Sequence, residues 1–387
     1  MTDGDIPGGV VIIGSGLGGY TLAREFRKLA PDAPVTVITA DGGEVYSKPM
    51  LSAAFAQGKT LQTLVQKTAR QYETDLSISI LTRRKVASID RAARQVVLGD
   101  GSRVEYQRLV LAVGADPRPY KVEGSENVTI HTVNDLDDYA VWRDGLIPHG
   151  RVLLIGAGLI GSEFANDLIA AGQAVSVVDP ALWPLGRLLP QALGDVMAVA
   201  LSEIGVDFHL GRSVQKLEPG KAILDNGAVV AFDKALSAIG LVPRMGLAAA
   251  AGLTVDKGIV VDRFLRTSDP HIYALGDCAQ TVAGPLPFVL PLMAQAKALA
   301  VTLAGTDTAL KLPALPVVVK TPALPMAVCP PAPGLAGEWT VEGEGRDRKA
   351  LFVGTDGKVL GFALSGAKTA ERQSLAKEMP DLIPPSS

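Results

Sequence analysis

The stretch that decides the fold is Val10-Val-Ile-Ile-Gly14-Ser-Gly-Leu-Gly-Gly19, an apolar run that meets a glycine-rich turn. Residues 20–28 continue at helical spacing, and a second apolar run covers residues 34–39. The order strand, tight turn, helix, strand is typical of a dinucleotide-binding βαβ unit. In a GxGxxG turn, the first glycine permits the bend, the second lets the backbone approach a pyrophosphate, and the third lets the helix pack against the strand.

The same order recurs in the middle of the chain. An apolar run at Arg151–Ile155 meets Gly156-Ala-Gly-Leu-Ile-Gly161, and residues 162–171 and 174–179 follow as a helix and a second strand. Free N–H groups at the positive end of each helix would face the phosphates of a dinucleotide. One such turn is weak evidence, but two turns with their flanking strands and helices predict two dinucleotide sites in one chain.

Short strand-like runs that end at or near a glycine predict where the chain crosses between domains. They lie at Leu109–Gly114, Ala235–Gly240 and Ile272–Asp277. We therefore predict an α/β fold with two interleaved Rossmann-like dinucleotide-binding domains plus a small α+β C-terminal domain. The expected limits are 1–115 and 240–315 for the first domain, 116–239 for the second, and 316–387 for the third.

Composition narrows the class of protein. The 387 residues are 48% hydrophobic, which is enough for more than one core, and the net charge of -3 gives no global reason to bind nucleic acid or an anionic membrane. The two cysteines, Cys278 and Cys329, lie too far apart for a CxxC pair and suit a reducing cytoplasm. The N-terminus lacks the features of a signal peptide, and no apolar run reaches about 18 residues, so we expect no membrane insertion.

The acids at the strand ends bear on the choice of dinucleotide. Asp179 follows Gly156 by 23 residues, close to the spacing at which an acid binds the adenosine ribose. A carboxylate there repels a 2'-phosphate and favours NADH over NADPH, although Asp179 is also placed to be a turn residue before Pro180. In the first unit the equivalent acid is displaced, so we expect Thr39 and backbone groups to hold the ribose.

Two dinucleotide sites in one chain favour hydride transfer from a nicotinamide to a bound flavin, because flavins accept two electrons and release them singly. Asp277, at the end of the third crossing run, is placed to bind the ribityl chain of that flavin. The alternative for Asp277 is an N-cap or turn role.

Five motifs resemble the pyridine nucleotide-disulphide oxidoreductase superfamily. They are Gly14–Gly19, Tyr46-Ser-Lys-Pro-Met-Leu-Ser52, Leu109–Gly114, Gly156–Glu163 and Tyr273-Ala-Leu-Gly-Asp-Cys278. Within the superfamily the chain is most similar to the bacterial rubredoxin-NAD reductases. The segments that carry this closer similarity are 46–52, 164–167, 291–293 and 319–322.

The resemblance implies a bound FAD, with NADH as substrate, and assigns contacts to both. The implied FAD contacts, from the pyrophosphate turn through the adenosine side and the adenine to the crossing region, are Gly14, Ser15, Gly16, Leu17, Gly18, Gly19, Thr39, Ala40, Val86, Gly114 and Arg118. The implied NADH contacts are Gly156, Gly158, Leu159, Ile160, Gly161, Asp179 and Gly240.

The resemblance also places side chains beside the flavin ring. Lys48 and Glu163 resemble a catalytic lysine–glutamate pair next to N5, and Asp277, Val289 and Lys320 resemble ribityl and isoalloxazine contacts. A lysine beside N5 would stabilise the anionic reduced ring, and a glutamate would offset that lysine when it is buried. The alternatives are that Glu163 is an ordinary acid in the first turn of a helix and that Lys320 is a surface lysine.

The expected activity is that of an oxidoreductase without thiol chemistry. The disulphide branch of the superfamily needs a cysteine pair in the first FAD helix, whereas this chain has Ser47, Lys48 and Pro49 in that region. The resemblance implies an NADH:rubredoxin reductase that passes hydride from NADH to FAD, then single electrons to rubredoxin. The short third domain favours a monomer, and the two isolated cysteines favour the cytoplasm. Such carriers serve alkane hydroxylation or oxygen and superoxide detoxification. The alternatives are a ferredoxin reductase feeding an oxygenase or cytochrome P450, and an NADH-binding flavoprotein that acts in signalling.

Overall fold

The computed structural model describes residues 9–384. Each of its α-helices buries at least one apolar side chain. In chain order they are α1 (Leu17–Leu29), α2 (Leu61–Leu64), α3 (Ala69–Leu76), α4 (Leu136–Asp144), α5 (Leu159–Ala170), α6 (Gln191–Glu203), α7 (Gly246–Ala250), α8 (Val289–Leu303) and α9 (Arg372–Glu378). Four 3-10 helices lie at Lys48–Ala53, Ser125–Asn127, Gly276–Cys278 and Gly366–Glu371.

The first βαβ unit forms the centre of a parallel five-stranded sheet. In spatial order its strands are Ile272–Ala274, Arg108–Leu111, Val10–Ile13, Val35–Ile38 and Ser79–Leu81. The central strand Val10–Ile13 is buried throughout, which explains its continuous apolar sequence. The predicted strand, turn, helix and strand are confirmed, with α1 beginning three residues earlier than the apolar spacing indicated.

The second βαβ unit forms an equivalent sheet. Its strands, in spatial order, are Ile130–His131, Lys234–Ser237, Arg151–Ile155, Ala174–Asp179 and Val206–Leu210, and all of them are parallel. The strands predicted at residues 151–155 and 174–179 are confirmed at those limits.

A two-stranded antiparallel ribbon links the two sheets. Ala115–Pro117 pairs with Leu241–Pro243, and the Arg118 N–H donates to the Gly240 carbonyl at 2.9 Å. Both chain crossings therefore lie side by side, at the strand exits that the sequence indicated. The domain limits themselves stay a prediction.

The C-terminal part is a small α+β unit, as expected. Its antiparallel sheet has the order Val317–Val319, Met326–Cys329, Val359–Ser365, Asp347–Gly354, Gly337–Glu344. The helix expected over 369–378 is instead the 3-10 helix Gly366–Glu371 followed by α9.

Smaller strands complete the layers around the sheets, and they pair antiparallel except for Ile259–Val260 with Ala279–Thr281, which is parallel. They are Val45–Tyr46 with Val65–Lys67; Val86–Asp90, Gln95–Leu98 and Arg103–Glu105; Val214–Glu218, Lys221–Leu224 and Val229–Ala231; and Ile259–Val260, Ala279–Thr281 and Gly284–Pro285. Over residues 9–384, the helices are too short or too polar to traverse a lipid bilayer.

The last glycine of each turn sets how closely the helix meets the strand. A Cβ on Gly19 would lie 1.9 Å from the Gly14 carbonyl oxygen, and a Cβ on Gly161 would lie 1.9 Å from that of Gly156. Neither contact is possible for a real side chain, so both positions require glycine.

Replacing Gly161 with Ala is therefore expected to force α5 away from its strand. The cost of overpacking a tight contact is roughly 1–3 kcal/mol. Thermal unfolding should show a lower midpoint for Gly161→Ala. Gly246→Ala is the matched control, because a Cβ on Gly246 meets nothing within 4 Å. Equal midpoints for the two variants would contradict the packing role of Gly161.

Candidate functional site

The two glycine-rich turns leave helix N-termini open for a ligand. Gly16 caps α1 and Gly158 caps α5, and neither end has a side-chain hydrogen bond to its N–H groups. A Cβ built on either glycine meets nothing within 4 Å, so the space in front of the turns is free. Unsatisfied N–H groups at a positive helix end suit a pyrophosphate. The residues present therefore fit one dinucleotide at each turn.

Some of the residues predicted as nucleotide contacts lie at the open ends of these helices. Leu17 and Leu159 are the first residues of α1 and α5, and Ile160 keeps 44% of its surface exposed at the open end of α5. Gly114 and Gly240 have φ of +70° and +103°, with nothing within 4 Å of an added Cβ. Their direct contacts with a bound nucleotide stay a prediction.

Asp179 supports the second turn from the neighbouring strand. One carboxylate oxygen accepts the Ala157 N–H at 2.6 Å, and the other accepts the Ala181 N–H at 2.7 Å. The turn role considered as the alternative is thus present. A carboxylate has further lone pairs, so a ribose hydroxyl can still bind, and this second role stays a prediction.

Asp41 supports the first turn, although the position equivalent to Asp179 is Thr39 and Asp41 lies two residues further on. Its carboxylate accepts the Ser15 hydroxyl at 3.0 Å, the Thr39 hydroxyl at 2.6 Å and the Gly43 N–H at 2.9 Å. Ser15 and Ala157 occupy equivalent positions in the two turns. Thr39 therefore donates its hydroxyl proton to Asp41. Asp41 is the acid of the first unit, displaced by two residues from the strand end. The signal in the sequence was an aspartate two residues beyond Thr39.

Packing brings the first turn together with the Asp277 segment. An added Cβ on Gly18 would lie 3.2 Å from Leu275 and 3.6 Å from Leu292 of α8. Burial raises the pKa of Asp277, and the Lys48 ammonium opposes that shift. Three further predicted contacts border this region or the adenosine side: Ala40 is exposed after the second strand, Val86 begins the strand Val86–Asp90, and Val289 begins α8 at 37% exposure.

Lys48 begins a 3-10 helix between the two sheets. Its ammonium donates to the Asn134 side-chain oxygen at 2.6 Å. Burial lowers the pKa of Lys48, the Asp277 carboxylate opposes that shift, and Arg244 reinforces it. The site therefore contains a partly desolvated lysine close to a partly desolvated aspartate.

Glu163 is paired with Lys320, and the predicted pairing of Lys48 with Glu163 is wrong. The Glu163 residue is 1% exposed, and its carboxylate lies 2.8 Å from the Lys320 ammonium. It also accepts the Ser52 hydroxyl at 2.6 Å and the Lys320 N–H at 3.1 Å. The C-terminal unit supplies the counter-charge, while Lys48 is directed to Asn134.

The Lys320 ammonium is occupied by protein oxygens. Besides Glu163 it contacts the Ser52 hydroxyl oxygen at 3.1 Å and donates to the Pro49 carbonyl. An ammonium has three N–H donors, so these partners account for all of them. The expected contact of Lys320 with the isoalloxazine ring stays a prediction. The ion pair with the buried Glu163 excludes the alternative that Lys320 is an ordinary surface lysine.

Two more polar side chains of α5 extend this junction. The Asn166 side-chain oxygen accepts the Ala323 N–H at 3.0 Å. The Asp167 carboxylate accepts the N–H groups of Phe55 and Ala56 at 3.1 and 2.7 Å. Burial raises the pKa of Asp167.

Glu163, Asn166 and Asp167 thus form a polar stripe on one face of α5, since positions i, i+3 and i+4 of a helix lie together. The stripe binds the segment 52–56 and the loop 320–323 to the second sheet unit. Asn166 and Asp167 were not predicted as site residues, although segment 164–167 was among those that resemble the rubredoxin-NAD reductases. The available signal was a set of polar residues at helical spacing in an otherwise apolar helix.

The two cysteines are buried and unpaired. Cys278 is 0% exposed and Cys329 is 6% exposed, and burial raises the pKa of each thiol to about 11. Reactive cysteines are thiolates, so these thiols are unsuited to exchange chemistry near neutral pH. Within residues 9–384, no group of three or more His, Cys, Asp or Glu side chains is arranged to hold a metal ion.

Comparison with known proteins identifies the family of this chain. Residues 8–298 match the family described as pyridine nucleotide-disulphide oxidoreductase, and residues 309–379 match the rubredoxin binding C-terminal domain. The chain belongs to the pyridine nucleotide-disulphide oxidoreductase family.

Individual proteins narrow the comparison. The chain is 44% identical to rubredoxin-NAD(+) reductase of Alcanivorax borkumensis, over 97% of this chain and 99% of that protein. It is 41% identical to rubredoxin-NAD(+) reductase of Acinetobacter baylyi, over 97% and 98%. The crystal structure of the covalent putidaredoxin reductase–putidaredoxin complex has a similar chain, with a TM-score of 0.86, 28% identity and coverage of 95% and 91%.

Replacing Asp179 with Asn is expected to narrow the preference for NADH over NADPH. The change removes the charge that repels a 2'-phosphate. The single amide oxygen can still accept the Ala157 N–H, at the loss of the bond from the Ala181 N–H. The measurement is the ratio of kcat/KM for the two nucleotides. Asp207→Asn, on the neighbouring strand with an exposed side chain, is the control. An unchanged ratio in Asp179→Asn would place the selectivity elsewhere.

The double variant Cys278→Ala, Cys329→Ala is expected to keep turning over electrons, provided that it folds and keeps its flavin. Neither thiol is ionised near neutral pH in the native structure. The measurement is the rate of reduction of a one-electron protein acceptor, compared with the rate of flavin reduction. Normal flavin reduction with no acceptor reduction would reveal a redox-active thiol.

Proposed function

We propose that this protein is an FAD-dependent NADH:rubredoxin reductase. The observation that carries the proposal is that the segment matching a rubredoxin-binding domain reaches into the candidate site: Lys320, within residues 309–379, pairs with the buried Glu163 of α5. The acceptor-binding unit and both dinucleotide units thus meet at one place. The two rubredoxin-NAD(+) reductases to which the chain is similar over nearly its whole length support the same activity.

The first turn and its surroundings suit FAD. The open N-terminus of α1 would hold the pyrophosphate, and Asp277 would hold the ribityl chain. When bound, the flavin takes hydride from NADH and gives up electrons singly. The second turn, at the open N-terminus of α5, would hold NADH with Asp179 at its ribose.

Lys48 supplies the positive charge of the site. Its ammonium donates to the Asn134 side chain, and the Asp277 carboxylate opposes the lowering of its pKa by burial. A cation in a desolvated place stabilises negative charge more strongly than one in water. Lys48 would therefore favour the reduced, anionic form of the cofactor, while Glu163 keeps the neighbouring Lys320 neutralised.

Electrons leave without a thiol carrier, because both cysteines are buried with raised pKa values. The fitting acceptor is a small one-electron protein such as rubredoxin, whose iron is held by four cysteine thiolates. Reduced rubredoxin would feed alkane hydroxylation or the removal of oxygen or superoxide. We further propose that the protein works as a monomer in the cytoplasm, where free cysteines stay reduced.

A ferredoxin reductase is the second candidate. The observation that favours it is the structural similarity to putidaredoxin reductase over 95% of the chain. The match of residues 309–379 to a rubredoxin-binding domain favours rubredoxin.

The acceptor test compares purified rubredoxin with a 2Fe–2S ferredoxin at equal concentration. We expect NADH-dependent reduction of rubredoxin to have the higher kcat/KM. The rate at which NADH reduces the flavin is measured in parallel as the control, since it does not depend on the acceptor. A higher kcat/KM for ferredoxin would replace the first candidate by the second, and no reduction of either protein would contradict both.

Replacing Lys48 with Met is expected to slow flavin reduction by NADH on the order of 100-fold, the effect of removing one preorganised charge-stabilising group. In the wild type the rate should fall as pH rises through the lowered pKa of Lys48, because the ammonium loses its charge there. Stopped-flow reduction across pH checks both effects. Lys297→Met, an exposed lysine of α8, is the control. A wild-type rate and pH profile in Lys48→Met would exclude this role.

A further inference from the structure

Asn134 is a buried polar residue that joins three parts of the protein. It precedes Asp135, the N-cap of α4, and is 7% exposed. Its side-chain oxygen accepts the Lys48 ammonium at 2.6 Å, and its side-chain nitrogen donates to the Ala115 carbonyl at 3.0 Å. Its backbone N–H donates to Asp138 at 3.0 Å. Both ends of the amide are thus engaged.

The two hydrogen-bond partners of this amide belong to different parts of the fold. Lys48 begins the 3-10 helix Lys48–Ala53, and Ala115 begins one strand of the ribbon in which the chain crosses between the two sheets. An amide with both ends bonded has one preferred orientation. The position of the Lys48 ammonium is therefore tied to the crossing ribbon.

The chemical character of the partner also matters. An amide oxygen binds an ammonium without cancelling its charge, whereas a carboxylate would pair with it. The charged groups that face Lys48 are Asp277 from the turn after the first sheet, Asp135 and Asp138 from α4, and Arg244 from beyond the ribbon. With a neutral group as its direct ligand, Lys48 keeps its charge available to a neighbour.

We propose that Asn134 is a positioning residue that holds the Lys48 ammonium against the flavin site and links its position to the interdomain ribbon. This inference rests on the proposed function, which places the flavin beside Lys48. Asn134 itself acts through Lys48. Its removal should matter only while Lys48 is present.

The test is a double-mutant cycle on the FAD-loaded protein, with the flavin midpoint potential as the readout. Asn134→Leu is similar in size to asparagine but cannot bind the ammonium. We expect its potential to fall from the wild-type value toward that of Lys48→Met. In the Lys48→Met background, Asn134→Leu should produce no further shift, since the interaction that it removes is already absent.

Asn127→Leu, at an exposed position in the 3-10 helix Ser125–Asn127, is the matched control and should keep the wild-type potential. Asn134→Ala is measured in the same way, because it leaves room for a water in place of the amide. The proposal is supported if replacing Asn134 lowers the potential when Lys48 is present and causes no further change in the Lys48→Met background.

An unchanged potential in FAD-loaded Asn134→Leu and Asn134→Ala overturns the proposal. An equal shift in both backgrounds also overturns it, since Asn134 would then act without Lys48. Loss of FAD from both Asn134 variants, with Lys48→Met retaining it, assigns Asn134 to the fold alone and contradicts the inference. Failure of the wild type to bind FAD or to be reduced by NADH is distinct from these results and rejects the proposed function instead.

Discussion

The buried carboxylate of Glu163 is the constraint on which the rest of the site depends. A charge that is 1% exposed must be paired and hydrogen-bonded, and its partners come from two distant segments, Ser52 and Lys320. Breaking a fully buried pair costs ~3–5 kcal/mol. The cost here is smaller, because Lys320 is 33% exposed and partly solvated. The ion pair therefore adds stability where the C-terminal unit, the 3-10 helix Lys48–Ala53 and α5 meet.

These contacts explain how a short helix can hold Lys48 in place. A 3-10 helix of six residues has little stability of its own. Its start is held where Lys48 meets Asn134, and its end where Ser52 meets Glu163. The residues that follow it are held where Asp167 accepts their N–H groups. The contacts of α5 thus hold the C-terminal unit and the 3-10 helix Lys48–Ala53 beside the helix that follows the second glycine-rich turn.

The parts of this architecture that depend on local sequence were predictable. Both βαβ units follow from apolar runs beside glycine turns, and the crossings follow from strand exits at Gly114 and Gly240. The ion pair of Glu163 was assigned to the wrong lysine, because residues 163 and 320 are 157 positions apart and no periodic pattern connects them. Asn134 was missed for a similar reason, since its role depends on Lys48 and Ala115 meeting in three dimensions.

Amide hydrogen exchange of the FAD-loaded Lys320→Met variant tests the central claim most directly. If Glu163 and Lys320 join the segments, exchange should accelerate together at the N–H groups of residues 50, 55 and 56 and at residues 320 and 323, while the strand Ala174–Asp179 stays at the wild-type rate. Faster exchange confined to the loop at residues 320–323 would contradict the account, because the 3-10 helix would then be held without the ion pair.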